Sequence, residues 1–444
     1  MSHVAILSPT DPRVQRVATL VERLYPSPRT FSLRFWDGSE LPADGEATLR
    51  LTFHHPGTLR RMLTPPIGLS VGEAYIYGDL DMDGDIFEAF SLIDALTDRP
   101  LTMPETIHLL REWLALPQDS FRRATARSHA RLYGARHSRE RDRAAIQYHY
   151  NAGNEFYGLW LDQRRQYSCG YFPTGSEDLN TAQELKLEQI CRKLRLKHGE
   201  RLLDIGCGWG GLAMYAAEKY GVEVVGVTLS DRQAEYALEQ LKEWPWRDQV
   251  DIRLLDYRDV ADGPFDKIVS IGMFEHVGRA HLPEYFAQAN HLLKPGGLFL
   301  NHGIALWPGK MYGRRPATMT QKLVQKRVID PSAFVWAYIF PDGELEPVSE
   351  VNLIAEQHGF EVRDVENWRE HYALTLRNWV ARLENHHAEA VGLVGEVTYR
   401  TWRLYMAVSA YGFTTGLFNV NQSLLAKPLH GKTMIPLSRA DLYT

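Results

Sequence analysis

The sequence is poor in cysteine, and it lacks long apolar runs. Its 444 residues include three thiols, at Cys169, Cys191 and Cys207. An odd, sparse set of cysteines in a long chain excludes a disulfide framework and predicts a reducing, cytoplasmic compartment. No stretch of about 18 apolar residues occurs, so no membrane-spanning helix is predicted. The N-terminus also lacks the pattern of a signal peptide, and any membrane contact is expected to be peripheral, at the inner membrane face.

Positive charge is not in excess over the chain as a whole. The formal net charge is −5, with 50 lysines and arginines against 55 acidic residues, which argues against a nucleic-acid partner. The 17 histidines include no H-E-x-x-H motif and there is no paired C-x-x-C, so no metal site is predicted. The acidic run at 79–85 lacks the later glutamate of a calcium loop, and we interpret it as a solvated turn.

The chain is too long for one ordinary core, and its patterns predict two domains. Residues 1–120 form the first, small domain, in which alternating apolar and polar residues at 31–55 predict short strands joined by tight turns. Helical patterning over 86–116 is expected to break near Pro100 and Pro104.

A basic segment, residues 121–145, links the first domain to the second. Residues 122–143 carry eight arginines against Glu140 and Asp142, a formal excess of six positive charges. The segment reads either as a solvated linker or as a contact for anionic phospholipid headgroups, where each basic side chain contributes about 1 kcal/mol. The charge pattern alone leaves both readings open.

Residues 146–444 form the predicted catalytic domain, and from residue 201 onward strand and helix patterns alternate. An apolar strand, RLLDIGCG (201–208), enters a glycine turn, and a helical segment, GLAMYAAEKYG (211–221), follows it. Further strand and helix pairs continue the pattern. Alternation at this spacing predicts an α/β fold with a doubly wound, mostly parallel sheet.

The glycine turn after this strand is a candidate cofactor loop, because glycines let the backbone turn tightly and approach a ligand. Gly206, Gly208 and Gly211 also fit the dinucleotide fingerprint, which requires an acidic residue at the end of the second strand. The end of that strand, residues 227–230, has no carboxylate, whereas Asp204 can bind the ammonium of a methionine moiety. S-adenosylmethionine is therefore favoured over a dinucleotide and over a purely structural turn.

The motifs around this loop resemble those of one family. In order they are YHYNAGNEFY (148–157), QYSCGYF (166–172), LDIGCGWGG (203–211), GVTLS (226–230), GMFEHVG (272–278), NHGI (301–304) and YIFPDG (338–343). This set resembles the cyclopropane-fatty-acyl-phospholipid synthase family, which includes the mycolic acid cyclopropane synthases. The resemblance implies a seven-stranded, Rossmann-like methyltransferase core with helical insertions, a small N-terminal domain and a homodimer.

A first set of site residues is predicted to bind S-adenosylmethionine. Its members are Tyr167, Ser168, Asp204, Gly206, Gly208, Thr228, Leu229 and Gln233. Within this set, the resemblance assigns the first two to the methionine end of the cofactor and the last three to its adenosine.

A second set is implied by the resemblance to surround a bicarbonate ion that acts as general base. Its members are Cys169, Glu275, His302, Ile304 and Tyr372. Four of them also have structural readings: a buried small side chain for the cysteine, a helix cap for the glutamate, and core positions for the histidine and the tyrosine. A nucleophilic pair of Cys169 with His302 is a further alternative. One departure from the family is Gly303, where threonine is common.

The two sets predict methylene transfer from S-adenosylmethionine to a cis double bond in a phospholipid acyl chain. An alkene is a weak nucleophile, so holding it in line with the sulfonium methyl lowers the barrier. Positive charge left on the chain requires a dry pocket. Aromatic faces stabilise such charge, and the candidate wall residues are Tyr148, Tyr171, Phe274 and Tyr372. Residues 305–340 are a candidate lid over the chain.

Other products and other functions stay open at this point. The same site could lose a different proton and make mid-chain methylene- or methyl-branched fatty acids. A non-catalytic lipid-binding protein is an alternative from another class, against which the intact Asp204, Glu275 and His302 argue. A small-molecule methyltransferase would act on a soluble substrate and not on vesicles.

Overall fold

The computed structural model describes residues 11–97, 103–118, 132–150, 152–307, 333–433 and 435–442. The strands, numbered along the chain, are β1 (Phe31–Arg34), β2 (Glu40–Leu41), β3 (Leu49–Phe53), β4 (Leu80–Gly84), β5 (Arg201–Ile205), β6 (Glu223–Thr228), β7 (Val250–Leu254), β8 (Phe265–Ile271), β9 (Leu293–Leu306), β10 (Glu361–Asn367) and β11 (Phe418–Ala426). The α-helices of these ranges are α1 (Pro12–Leu24), α2 (Thr58–Met62), α3 (Ile67–Ile76), α4 (Glu88–Thr97), α5 (Met103–Ala115), α6 (Arg139–Tyr150), α7 (Asn154–Trp160), α8 (Leu179–Leu194), α9 (Gly211–Tyr220), α10 (Asp231–Leu241), α11 (Leu282–Leu292), α12 (Ala333–Tyr338), α13 (Val348–Gln357), α14 (Arg369–Asn385), α15 (His387–Val394) and α16 (Glu396–Thr415). None of these helices is long and apolar enough to cross a bilayer.

The chain divides into two compact units. The first contains the described residues before 130, together with 333–339 and 394–411. Its sheet has four strands in the order β2-β1-β3-β4. The strands predicted at 31–55 are present, but β3 pairs in parallel with β1 rather than folding back on β2.

One expectation for the first unit is confirmed and another is wrong. The helical patterning is interrupted near Pro100 and Pro104 as predicted, since α4 ends at Thr97 and α5 begins at Met103, with Pro104 in its first turn. Pro100 lies outside the described residues. The acidic run forms strand β4, paired with β3, instead of a solvated turn. Asp79, just before β4, is buried and pairs with Arg61.

The second unit contains residues 132–307, 340–393 and 412–442, and its sheet confirms the α/β prediction. Seven strands follow the order β10-β11-β9-β8-β5-β6-β7. The pairs from β7 to β9 are all parallel, whereas β11 runs antiparallel to both of its neighbours. The fold is therefore the doubly wound, seven-stranded α/β type.

Alternate residues of the strands bury two separate cores, one on each face of this sheet. Leu202 and Val224 pack with helices α8, α9 and α10. Their sequence neighbours Leu203 and Val225 pack on the other face with α11 and α13. Because both faces are covered, the strands are almost continuously apolar, which is the pattern seen in the sequence.

The connections locate the site. From β5 the chain crosses to β6 and β7 on one side, and then returns to β8 on the other side of β5. Ligands of open α/β sheets bind outside the carboxyl ends of the strands, where the order reverses in this way. The glycine turn after β5 and the loop after β8 meet at this point.

Candidate active site

The glycine turn follows β5 and is tied to the end of β6. Gly206 and Gly208 have φ of +82° and +56°, a backbone conformation that residues with a Cβ rarely adopt. The N–H groups of Gly206 and Cys207 donate to the carbonyl of Val227 at 2.9 and 3.0 Å. Hydrogen bonds to the end of β6 therefore fix the turn at this edge of the sheet.

Asp204 lies next to this turn at the end of β5, with 2% of its surface exposed. Burial raises the pKa of Asp204 to about 7, and the nearby Lys186 ammonium acts in the opposite direction. A buried carboxyl of this kind gains most when a cation is bound beside it. The ammonium of a methionine moiety is such a cation.

Lys186 is a site residue that the sequence reasoning missed. It is fully buried on α8, and its Nζ donates to Gln166 Oε1 at 2.7 Å and to Ser168 Oγ at 2.9 Å. Burial lowers the pKa of Lys186 to about 8, opposed by the charges of Asp162, Cys169 and Asp204. A signal was available: Lys186 occupies a position on the apolar face of α8.

The residues predicted at the adenosine end also lie together. Thr228 Oγ1 donates to Gln233 Oε1 at 2.9 Å, and the Gln233 backbone N–H donates to Ser230 Oγ, the cap of α10. Gln233 Nε2 lies 3.9 Å from where a Cβ of Gly208 would be. Leu229 is half-buried in the bend after β6.

Tyr167 lies in an aromatic cluster. Its ring centroid is 5.5 Å from that of His149, nearly parallel to it, and 5.3 Å from that of Trp379. His149 in turn stacks on Phe340 at 4.5 Å. The early motif at 148–157, the QYSCGYF motif and the YIFPDG motif therefore meet in one cluster around Tyr167.

Glu275 follows β8 and reaches across to β9. Its Oε1 accepts the backbone N–H of Ile304 at 2.7 Å, so the Glu275 side chain binds β9 instead of capping a helix. Its Oε2 is buried and has no hydrogen-bond partner among the described residues. Burial raises the pKa of Glu275 to about 7.

His302 is 2% exposed and lies on β9, two residues before Ile304 and on the same face of the strand. Its Nδ1 is 2.9 Å from Gln422 Nε2, and its Nε2 is buried without a partner among the described residues. Burial and the charges of Lys186 and Lys193 hold the pKa of His302 well below its usual value.

Trp368 connects Cys169, His302 and Tyr372. Its carbonyl accepts from Cys169 Sγ at 3.6 Å and from the Tyr372 N–H at 3.0 Å, and its ring meets the His302 ring edge-on at 5.6 Å. Burial raises the pKa of the Cys169 thiol, whose sulfur also bonds the Gly170 carbonyl. The sulfur contacts carbonyls rather than His302, so the nucleophilic pair receives no geometric support.

The four aromatic residues that are candidates for the wall come from different elements of the second unit. Tyr171 stacks on Trp368 at 4.8 Å, and Tyr372 packs on Phe413 at 4.6 Å. Phe274 belongs to the core on the α11 face of the sheet. Tyr148 is half-buried on α6. Residues 308–332, the greater part of the candidate lid, lie outside the described residues.

Known proteins match this chain over most of its length. The family model described as mycolic acid cyclopropane synthetase matches residues 137–423. A probable fatty acid methyltransferase of Pseudomonas putida is 39% identical over 415 residues, covering 93% of this chain and 95% of that protein. The cyclopropane-fatty-acyl-phospholipid synthase of Escherichia coli K12 is 34% identical over 371 residues, or 83% of this chain and 86% of that one.

The fold has a solved counterpart as well. The crystal structure of the mycolic acid cyclopropane synthase CmaA1, complexed with SAH and CTAB, superposes with a TM-score of 0.59 at 35% identity. That match covers 64% of this chain and 97% of CmaA1. The motifs, the sheet order and these similarities agree. The chain belongs to the mycolic acid cyclopropane synthetase family, and it is an S-adenosylmethionine-dependent methyltransferase of the cyclopropane-fatty-acyl-phospholipid synthase type.

Proposed function

We propose that this protein transfers a methylene group from S-adenosylmethionine to a cis double bond of an unsaturated phospholipid acyl chain. The observation that carries the proposal is the pair of buried site atoms, Glu275 Oε2 and His302 Nε2, which have no partner among the described residues. Leaving such groups unpaired is costly, so the pair favours a small polar guest. An unpaired acceptor after β8 and an unpaired donor on the neighbouring strand β9 match bicarbonate, which has both kinds of group.

The relatives support the lipid substrate. The E. coli relative is named for phospholipid acyl chains, and the CmaA1 structure holds the detergent CTAB together with SAH. We assign catalysis to residues 146–444 of this chain, because both proposed sets of site residues lie there.

In the proposed site, the chain's own residues hold the reactants and keep water out. Asp204 binds the ammonium of the cofactor, Tyr167 and Ser168 line its methionine end, and Thr228, Leu229 and Gln233 hold its adenosine. When bound, S-adenosylmethionine supplies an electrophilic methyl group. One alkene carbon would form a bond to that methyl as the sulfur–methyl bond breaks and SAH leaves. The positive charge left on the other alkene carbon would be removed when the added methyl loses a proton and the ring closes.

The proton must pass to a base beside the added methyl. Bicarbonate, when bound, would supply that base. Glu275 would accept a hydrogen bond from it and His302 would donate one, while Cys169, Ile304 and Tyr372 would complete the proposed pocket. The backbone N–H of Ile304 is already used by Glu275 and fixes the position of the carboxylate.

A second product is favoured by two observations. The Pseudomonas putida relative is named as a probable fatty acid methyltransferase, and Gly303 departs from the family pattern beside His302. If a hydride shifts before the proton is lost from the added methyl, the same site makes a mid-chain methylene-branched fatty acid. Loss of the proton from a chain carbon leaves an unsaturated methyl-branched one. The enzyme class and the site residues are the same for both products.

We also propose that the protein acts as a homodimer at the cytoplasmic face of the inner membrane. Of the arginines in the basic segment, Arg136 pairs with Glu344, Arg139 with Asp259 and Arg141 with Asp342. Headgroup contact therefore falls to the other arginines of the segment. Of these, Arg122, Arg123, Arg127 and Arg131 lie outside the described residues.

The test is mass spectrometry and NMR of lipids after incubation with S-adenosylmethionine and vesicles of cis-monounsaturated phospholipid. A gain of one CH₂ with upfield ring protons and loss of olefinic protons is expected for cyclopropanation. The same gain with a terminal methylene signal moves the product to a branched chain. No gain while SAH still binds contradicts the lipid substrate, and activity on a soluble substrate alone favours a small-molecule methyltransferase.

A further inference from the structure

His302 lies at one end of a chain of hydrogen bonds that continues through Gln422 to Lys193. Residues 302 and 422 face each other in the β9–β11 register, and both side chains are almost completely buried. Gln422 Nε2 is 2.9 Å from His302 Nδ1, and Gln422 Oε1 is 2.6 Å from Lys193 Nζ. Lys193 also pairs with Glu366, at the half-buried end of the chain.

The chemistry of these groups determines which atom donates in each bond. Burial lowers the pKa of Lys193, and the carboxylate of Glu366 opposes that shift by favouring the ammonium form, which can only donate. Gln422 must therefore present its oxygen to Lys193 and its NH₂ to His302. Because that NH₂ is a donor, His302 Nδ1 must be the acceptor. The single proton of a neutral imidazole then lies on Nε2.

The neutral form is the one that the surroundings permit. An imidazolium would place an N–H at Nδ1 against the NH₂ of Gln422, so two donors would face each other. The buried ammonium groups of Lys186 and Lys193 also repel a positive charge on the ring. The Trp368 ring packs against the His302 ring, nearly perpendicular to it, at 5.6 Å between ring centroids. The Nε2–H group is therefore left as a buried donor without a partner among the described residues.

We infer that Lys193 and Gln422 are positioning residues that hold His302 as the neutral Nε2–H tautomer, a hydrogen-bond donor directed at the anion site. That the anion is bicarbonate rests on the proposed function. The tautomer itself follows from the hydrogen bonds alone. A purely structural role for Lys193, tying α8 to β10 through Glu366, would leave the His302 tautomer unspecified.

The test measures the tautomer directly, by ¹⁵N NMR of the full chain labelled in its histidine rings, with H302Q to assign the signals. In the wild type we expect an unprotonated Nδ1 and a protonated Nε2. Gln422→Glu places an acceptor opposite Nδ1, so a protonated Nδ1 is expected. Lys193→Gln removes the ammonium that fixes the orientation of the Gln422 amide, so a mixture of His302 tautomers is expected. Lys193→Arg should restore the wild-type signal. The exposed Gln357→Glu is the matched control and should change nothing.

Kinetics separates this inference from the proposed function. In Gln422→Glu, the KM for bicarbonate should rise by about tenfold or more, the effect of losing a hydrogen bond to a charged group, with a smaller change in kcat. A changed tautomer with unchanged bicarbonate dependence would support the positioning role and overturn the proposed bicarbonate site. A protonated Nδ1 in the wild-type protein would overturn the positioning role, whatever the kinetics show.

Discussion

The Phe274 ring packs directly against the backbone of Gly303. A Cβ on Gly303 would lie 1.9 Å from Cε1 of the Phe274 ring, far inside van der Waals contact. The ring therefore occupies the space that a threonine side chain would need. Glycine in place of the family's threonine at 303 therefore leaves room for the Phe274 ring, which lies next to the strand that carries His302.

Gly303→Ala should accordingly destabilise the protein by about 1–3 kcal/mol, the usual cost of overpacking a core, measured by denaturant unfolding. Gly392→Ala is the control, since no atom lies within 4 Å of the added Cβ and alanine favours its helix. Combining Gly303→Ala with Phe274→Leu should cost less than the sum of the two single changes. Additive costs would contradict a direct contact.

Asp204 gives the cofactor site a defined pH dependence. Its pKa in the folded protein is raised from 3.8 to about 7, so the carboxyl is protonated below pH 7 and ionised above it. Only the ionised form attracts an ammonium, and we therefore expect SAH affinity, measured by calorimetry, to increase as pH rises from 6 to 8. Asp204→Asn should bind SAH weakly at every pH, while Glu275→Gln keeps the wild-type profile. If SAH affinity in the wild type did not change with pH, Asp204 would not be the group that binds the ammonium.

Glu275→Gln tests the proposed anion pocket. The amide oxygen can still accept from Ile304, so the local fold should survive, but the charge that orients the ion is lost. We expect kcat to fall by about 10²–10⁴-fold, the typical contribution of acid–base groups, with SAH affinity unchanged. Glu284→Gln, on the exposed side of α11, serves as the matched control. A kcat close to that of the wild type would leave Glu275 a structural residue.

At the scale of elements, helix α8 connects the QYSCGYF segment with the end of β5 through one buried charge. Its Lys186 donates to Ser168, and the Lys186 ammonium opposes the burial that raises the pKa of Asp204 in β5. An amphipathic helix would normally place an apolar side chain there, between Ala182 and Ile190. The lysine instead provides a buried donor for a segment that has no strand partners of its own.

Lys186→Met should therefore move the pH midpoint of SAH binding upward, because the opposing ammonium no longer lowers the pKa of Asp204. Affinity at pH 7 should fall for the same reason. Lys242→Met is a suitable comparison, since that side chain is exposed at the end of α10. The same binding midpoint in Lys186→Met and wild type would show that the two groups are not coupled.

At the scale of the whole molecule, ion pairs distinguish some arginines of the basic segment as unsuited to the proposed membrane contact. Those at 136, 139 and 141 are held in ion pairs within the second unit, and they are poor candidates for lipid contact. The remaining positive charge is concentrated earlier in the segment, at 122–131.

Reversal of that earlier charge tests the membrane contact. Replacing Arg122, Arg123 and Arg127 with glutamate should weaken binding to anionic phospholipid vesicles by at least about 100-fold in a flotation assay, at about 1 kcal/mol per lost basic residue. SAH affinity should stay the same, and Lys242→Glu should leave both properties unchanged. Undiminished vesicle binding by the triple variant would support the alternative interpretation, that the segment is a solvated linker.

Much of the fold could be predicted because it depends on local patterns. The alternation of strand and helix after residue 200 predicts the doubly wound sheet, and the glycine turn with Asp204 predicts its cofactor loop. The error in the first unit, the interpretation of the acidic run, has a non-local cause. Acidic residues at 79–85 suggest solvent exposure, but pairing with β3 and the partner Arg61 are contacts from distant parts of the chain.

By itself, the sequence determined the family, the cofactor class and the candidate site residues, since short motifs in a given order carry that information. Only the tertiary structure decided what holds those residues in place. Trp368 and Gln422 contact His302, and Lys193 contacts Gln422, which is 229 positions from Lys193 and 120 from His302. No local pattern can specify such contacts, because they exist only once β9, β11 and α8 have packed together.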